Sequence, residues 1–142
     1  GPGRITGRRR RPEGRGPVDY LVFTPDDGTM NVLVPERSAA QTGLRHLIAR
    51  DAVEGLLRQL GTSEVHIEGP SEVWRLERWQ SGRPEDLGAL LHHLWHDPPD
   101  ELSGGLGVER VRARLASELA AATGQTPQAW AERLNAALDP KP

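Results

Sequence analysis

The apolar residues of this chain change period near residue 50, and that change restricts the fold more than any single motif does. Before it, short segments at 4–11, 19–24 and 29–35 are rich in Val, Leu, Ile, Thr and Tyr and are punctuated by the turn sequences PEGRGP and PDDG. In TMNVLVP, Met30, Val32 and Val34 alternate with Asn31 and Leu33, so one face of a strand looks inward and the other outward, and Pro35 ends the run. These segments predict a β-meander. Beyond residue 50 the apolar residues recur at three- and four-residue intervals instead. Val53, Leu56, Leu57 and Leu60 have helical spacing, with Asp51 suited to an N-cap and Gly61 to a stop. GTSEVHIEGP, at 61–70, reads as a linker, and further helices are predicted over 71–80, 84–96, 106–122 and 126–138. Leu87, Leu90, Leu91, Leu94 and Trp95 form one stripe, Val108, Val111, Leu115 and Leu119 a second, and Trp130, Leu134 and Leu138 a third. Three such stripes can close a small helical core, so the fold class is α+β.

The 142 residues suffice for one ordinary domain or two small ones. No apolar run approaches the roughly 18–20 residues that span a bilayer, and the opening GPGRITGRRRR lacks the apolar segment of a signal peptide, so a cytoplasmic protein without a membrane span is expected. The absence of cysteine excludes a disulfide scaffold, a thiolate nucleophile and a thiolate zinc site. Net charge is −2, but residues 1–60 hold ten Arg against seven acids, and residues 61–142 hold eight Lys plus Arg against thirteen acids. A protein that holds nucleic acid over its whole surface would be strongly basic, so any DNA contact here is local.

The stretch SEVWRLERW carries two of the four tryptophans between arginines. On a helix Leu76 lies roughly 160° around the axis from Trp74, and Trp79 roughly 140°, so the two indoles cannot share a face. If Val73, Leu76 and Trp79 supply the inward side, Trp74 stands outside, with Arg78 one turn along and Arg75 beside it. Such an edge suits an aromatic wedge flanked by phosphate-holding arginines. The competing reading is burial, because most tryptophans are largely covered. The geometry of the sequence leaves both open.

The order DYLVF, a tight turn, MNVLVP, a loop ending in TGLRHLI and the helix DAVEGLLRQL resembles the N-terminal part of the CarD/CdnL family of bacterial RNA polymerase regulators. A Trp followed by basic residues, then SGRPEDLGALLHHLW, then a stretch running into LASELAAATG, is similar to that family's helical domain, so the resemblance covers nearly the whole chain. It implies a small Tudor-like (SH3-like) antiparallel β-barrel over 1–47 that docks on the polymerase β subunit. It also implies an all-α domain over 48–142 that touches promoter DNA at the upstream edge of the bubble. Outward residues of the strands, Arg9, Arg11, Asn31 and Leu33, match the polymerase contacts. Trp74, Arg75 and Arg78 match the DNA contacts, with Trp74 as the wedge that stabilises the open complex. Family members carry a further strand and a Gly-rich turn ahead of GPGRITG, so either a strand precedes this sequence or the barrel has an open edge. The helix after Trp74 is shorter than in members, Glu77 interrupts its basic cluster, and Leu33 stands where relatives often place a basic residue.

Other constellations carry less. His92 and His96 have an i, i+4 spacing able to hold a metal, but LHHLWH lacks the glutamate of HExxH and a third ligand, so no metal is expected. SGGLG is not followed by GKS or GKT, Asp26 and Asp27 belong to a turn, and Arg110 with Arg114 form a stripe read as a solvated face. The expectation is therefore a noncatalytic, monomeric transcription regulator without cofactor, bridging the RNA polymerase β subunit and promoter DNA near the upstream fork. The alternative is a polymerase-binding or other protein-interaction adaptor with no specific DNA contact and with Trp74 buried.

Overall fold

Alternation in the first third of the chain produces three antiparallel strands: β1 (Gly3–Glu13), β2 (Gly16–Pro25) and β3 (Val32–Pro35), in the order β1-β2-β3. This computed structural model describes residues 2–14, 16–26, 28, 30–41, 44–62, 67, 69–98 and 106–139. The central strand pairs Arg9↔Tyr20 and Arg11↔Val18 on one side and Val22↔Leu33 and Tyr20↔Pro35 on the other. A register shift between Ile5 and Gly7 makes a bulge at Thr6, whose hydroxyl lies 2.9 Å from that of Thr24. The strands β1 and β3 are the edges of this sheet, so by themselves these strands form an open layer. Val22 alone among the described residues of the sheet unit is buried.

The chain divides into two compact units, Gly1–His46 and Leu47–Pro142. The second is helical: α1 (Val53–Thr62), α2 (Ser71–Ser81), α3 (Pro84–His96), α4 (Val108–Thr123) and α5 (Pro127–Leu138). The three predicted stripes meet in its core, where Leu87, Leu90, Leu91, Leu94, Val111, Leu115, Leu119, Trp130, Leu134 and Leu138 are all buried. Helix α3 packs against α1, α2 and α4, while α5 closes on α1 and α4. Gly88 lets α1 approach α3, since a Cβ there would come within 3.1 Å of Leu56 Cδ1 and 3.6 Å of Leu60 Cδ2. No helix of the described residues is long and apolar enough to cross a membrane.

Local signals at the helix ends were less reliable than the stripes. Asp51 is not a cap: it lies inside a 3-10 turn, Arg50–Ala52, that leads into α1, and the residue before that turn is Ala49. Gly61 is not a stop, because α1 continues through it to Thr62. The entry to α1 is fixed from elsewhere in the unit. The backbone N–H of Ile48 donates to Glu118 on α4 at 2.9 Å, and Arg50 donates to the Thr123 carbonyl at 3.2 Å. Thr126 does cap α5, its hydroxyl accepting from Ala129 N–H at 3.1 Å.

Candidate functional site

Helix α2 was expected to turn Val73, Leu76 and Trp79 inward and Trp74 outward, and the structure keeps Trp79 against the core but reverses the other three. Trp74 is 8% exposed and joins the core, whereas Val73 is 49% and Leu76 40% exposed. The inward arc of α2 contains Trp74, Arg75, Arg78, Trp79 and Gly82, which span about 140° of the helix circumference. Two of those five are arginines, so a count of apolar residues points the helix the wrong way.

Arg78 can face inward here because its guanidinium finds an indole and a carboxylate. Arg78 lies 5.5 Å from the centroid of the Trp74 ring and donates to Asp86 at the start of α3 at 3.2 Å. Ser81 also hydrogen-bonds Asp86. The Nε of Arg78 is buried and makes no hydrogen bond. His93 on α3 meets the edge of the Trp74 ring at 5.5 Å, and burial pushes its imidazole below its ordinary pKa, against the opposing pull of Asp97. An indole enclosed by His93 and an Asp86-bound arginine is an interior packing group. As described it presents no ring to a DNA groove, so the wedge expectation for Trp74 is corrected.

Trp79 and Trp130 follow the same chemistry. Arg114 and Arg110, expected to form a solvated stripe, lie 4.4 Å and 4.9 Å from the centroid of Trp79. Arg133 stands 4.2 Å over Trp130, whose indole N–H donates to Thr123 at 2.7 Å. The signal that sequence reasoning missed is the i, i+4 pair Trp74–Arg78 followed by RPED, which sets Asp86 where it can hold the guanidinium.

The sheet residues predicted for docking do come together. Cross-strand pairing places Arg9 and Arg11 on the face of β2 that carries Tyr20 and Val18, and Leu33 lies on the same face opposite Val22. Asn31, two residues before Leu33, accepts a 2.9 Å hydrogen bond from Thr24 of that face. Arg9, Arg11 and Asn31 are exposed, and Leu33 is half-buried. On the opposite face Arg8 pairs with Glu36 at 2.9 Å and Arg10 with Asp19 at 2.9 Å. The hydrogen bond from Arg10 holds the Asp19 carboxyl below its usual range.

His92 and His96 meet with their rings tilted at 49° and centroids 4.4 Å apart, and His92 Nδ1 lies 2.8 Å from the Leu60 carbonyl. Among the described residues no group of three or more His, Cys, Asp or Glu is arranged to hold a metal ion. A small cavity of about 50 Å³ beside them is lined by Leu56, Leu60, Gly88 and His92, enough room for water but not for a substrate. Asp27 and the first three residues of SGGLG at 103–107 lie outside the described residues. No protein-family model matches the chain, and no curated protein matches its sequence.

Proposed function

We propose that this chain is a noncatalytic transcription regulator that acts as an RNA polymerase-binding adaptor, with its sheet unit as the docking module. The observation that carries this reading is the gathering of Arg9, Arg11, Asn31 and Leu33 on one face of an open-edged sheet. The resemblance to the CarD/CdnL family implied docking through those residues, in a module of Tudor-like type that binds the polymerase β subunit. The composition of the sheet unit adds support. A three-stranded sheet with one buried side chain among its described residues has little core of its own, and docking would cover more of its apolar surface.

Burial of Trp74 supports the adaptor reading over the wedge. In this reading the helical unit contributes a stable body, and its effect on promoters comes from what the complex does once docked rather than from an indole inserted at the fork. A regulator of this kind shifts an equilibrium by its differential affinity for two states of the polymerase, and no bond is made or broken.

The test is co-purification of the polymerase β subunit with the full chain and with Leu33→Asp. Loss of the β subunit with an unchanged thermal melt supports the docking face. Retention of the β subunit by Leu33→Asp refutes it. Trp74→Phe, which keeps an aromatic core residue, is expected to leave open-complex lifetime unchanged, and a marked shortening would restore the DNA reading.

A further inference from the structure

We propose that His92 and His96 form a two-imidazole site for a late first-row divalent ion, Ni²⁺, Cu²⁺ or Zn²⁺, over the last two turns of α3. The site does not depend on the docking reading, because every residue in it belongs to the helical unit.

His92 is prepared for an ion by its contact with α1. Its Nδ1 lies 2.8 Å from the Leu60 carbonyl, and a carbonyl oxygen can only accept. Nδ1 is therefore the donor, which places the lone pair of the neutral ring on Nε2. Metal-binding histidines are oriented in this way, with one ring nitrogen donating to a backbone carbonyl and the other left to the ion. Because Leu60 belongs to α1, a neighbouring helix holds the His92 ring in its orientation.

His96 follows one turn later with its ring centroid 4.4 Å away and its plane tilted by 49°. An ion held by two imidazole nitrogens at about 2.1 Å sits roughly 3.2 Å from each ring centre, so rings sharing it are about 4.5–5.2 Å apart. The observed spacing is close to that range. The tilt matters as well, because a shared ion must lie in both ring planes, and parallel stacked planes never meet. His92 is half-buried and His96 exposed, so the pair opens to solvent and the His96 ring has room to turn onto the ion. His96 also lies in the last turn of α3, where the free carbonyl ends favour a cation. Imidazole nitrogens suit Ni²⁺, Cu²⁺ and Zn²⁺, whereas Mg²⁺ prefers oxygen. No group of three or more ligating side chains occurs among the described residues, so water fills the remaining positions and the ion exchanges freely. An ion across the pair braces the end of α3 against α1, and preferential binding to the folded chain raises its melting temperature.

Calorimetric titration of the untagged full chain with NiCl₂, ZnCl₂ and MgCl₂ tests this. Ni²⁺ and Zn²⁺ are expected to bind one ion per chain and Mg²⁺ none, and the melting temperature is expected to rise with Ni²⁺ concentration. His96→Gln, at an exposed position, and His92→Asn, whose amide keeps a donor near the Leu60 carbonyl, should each weaken Ni²⁺ binding at least about tenfold. His46→Gln/His66→Gln, which alters histidines outside the pair, should change it by less than about twofold. Metal-free melts verify the variants, and His96→Gln alone decides if His92→Asn unfolds. Failure of Ni²⁺ and Zn²⁺ to bind, binding that survives loss of either imidazole, equal loss in the control pair, or an Mg²⁺ response matching that of Ni²⁺ overturns the proposal. A lowered metal-free melt in His92→Asn with Ni²⁺ binding intact would reduce His92 to a strut between α1 and α3.

Discussion

Arg114 of α4 donates a 2.7 Å hydrogen bond to the backbone carbonyl of Trp79 while its guanidinium lies 4.4 Å from the centroid of the same residue's ring. One side chain thus caps the carbonyl end of α2, where cations are favoured, and covers the indole beside it. The contact ties α2 to α4, two helices separated in the chain by α3.

Gly82 makes room for that arginine. It ends α2 in the left-handed region at φ 64°, and a Cβ there would collide with the Arg114 guanidinium. Gly82→Ala is expected to cost about 1–3 kcal/mol, from backbone strain together with displacement of the capping group. Thermal or urea unfolding of the full chain measures it, and an unchanged midpoint would show that the close approach is not needed.

Trp74→Ala removes a core side chain rather than a surface tool. Truncating a buried aromatic typically costs about 3–5 kcal/mol, so the helical unit should melt markedly lower, whereas Trp74→Phe should lose less. A variant with an unaltered melting curve would place the ring in solvent and contradict the core assignment.

His93 gives the helical unit a pH dependence with a definite sign. Its folded imidazole sits below the ordinary value of 6.5, chiefly through burial. The unfolded chain therefore binds the proton first. Stability is full above about pH 6.5 and falls as pH drops below it, levelling once the folded imidazole also protonates. Urea unfolding at a series of pH values reads this slope. His93→Gln should flatten it, and an equal slope in the variant would assign the dependence to other groups.

Thr126 and Asp51 separate a cap in the structure from a cap suggested by sequence alone. Thr126→Ala removes the acceptor for Ala129 N–H and is expected to cost about 1 kcal/mol. Asp51→Ala, at an exposed residue inside a 3-10 turn, is expected to lie within about 0.5 kcal/mol of the parent. Comparable losses from the two would restore Asp51 as the helix start.

The core of the helical unit was legible because burial of Leu87, Leu90, Leu91 and Leu94 repeats at the helix period. The existence of the three strands was legible for the analogous reason, but their ends and the facing of the third were not. β3 begins at Val32 rather than at residue 29, and Met30 and Val32, expected to look inward, are exposed while Leu33 is half-buried. Even the gathering of Arg9, Arg11 and Leu33 follows from strand parity once β2 pairs with both neighbours. The orientation of α2 did not follow. Val73 and Leu76 are as apolar as residues that face a core, and Arg75 and Arg78 are as charged as residues that face water. Their placement depends on partners distant in the chain: Asp86 for Arg78, and Arg110 and Arg114 for Trp79.

By itself the sequence determined which segments are strands and which are helices, because those choices depend on local spacing that a single segment carries. Which side of α2 is inside, and which arginines of β1 pair with acids, only the tertiary structure decided. A guanidinium is costly to bury alone and tolerable beside an indole and a carboxylate, and those companions are brought to it by the fold.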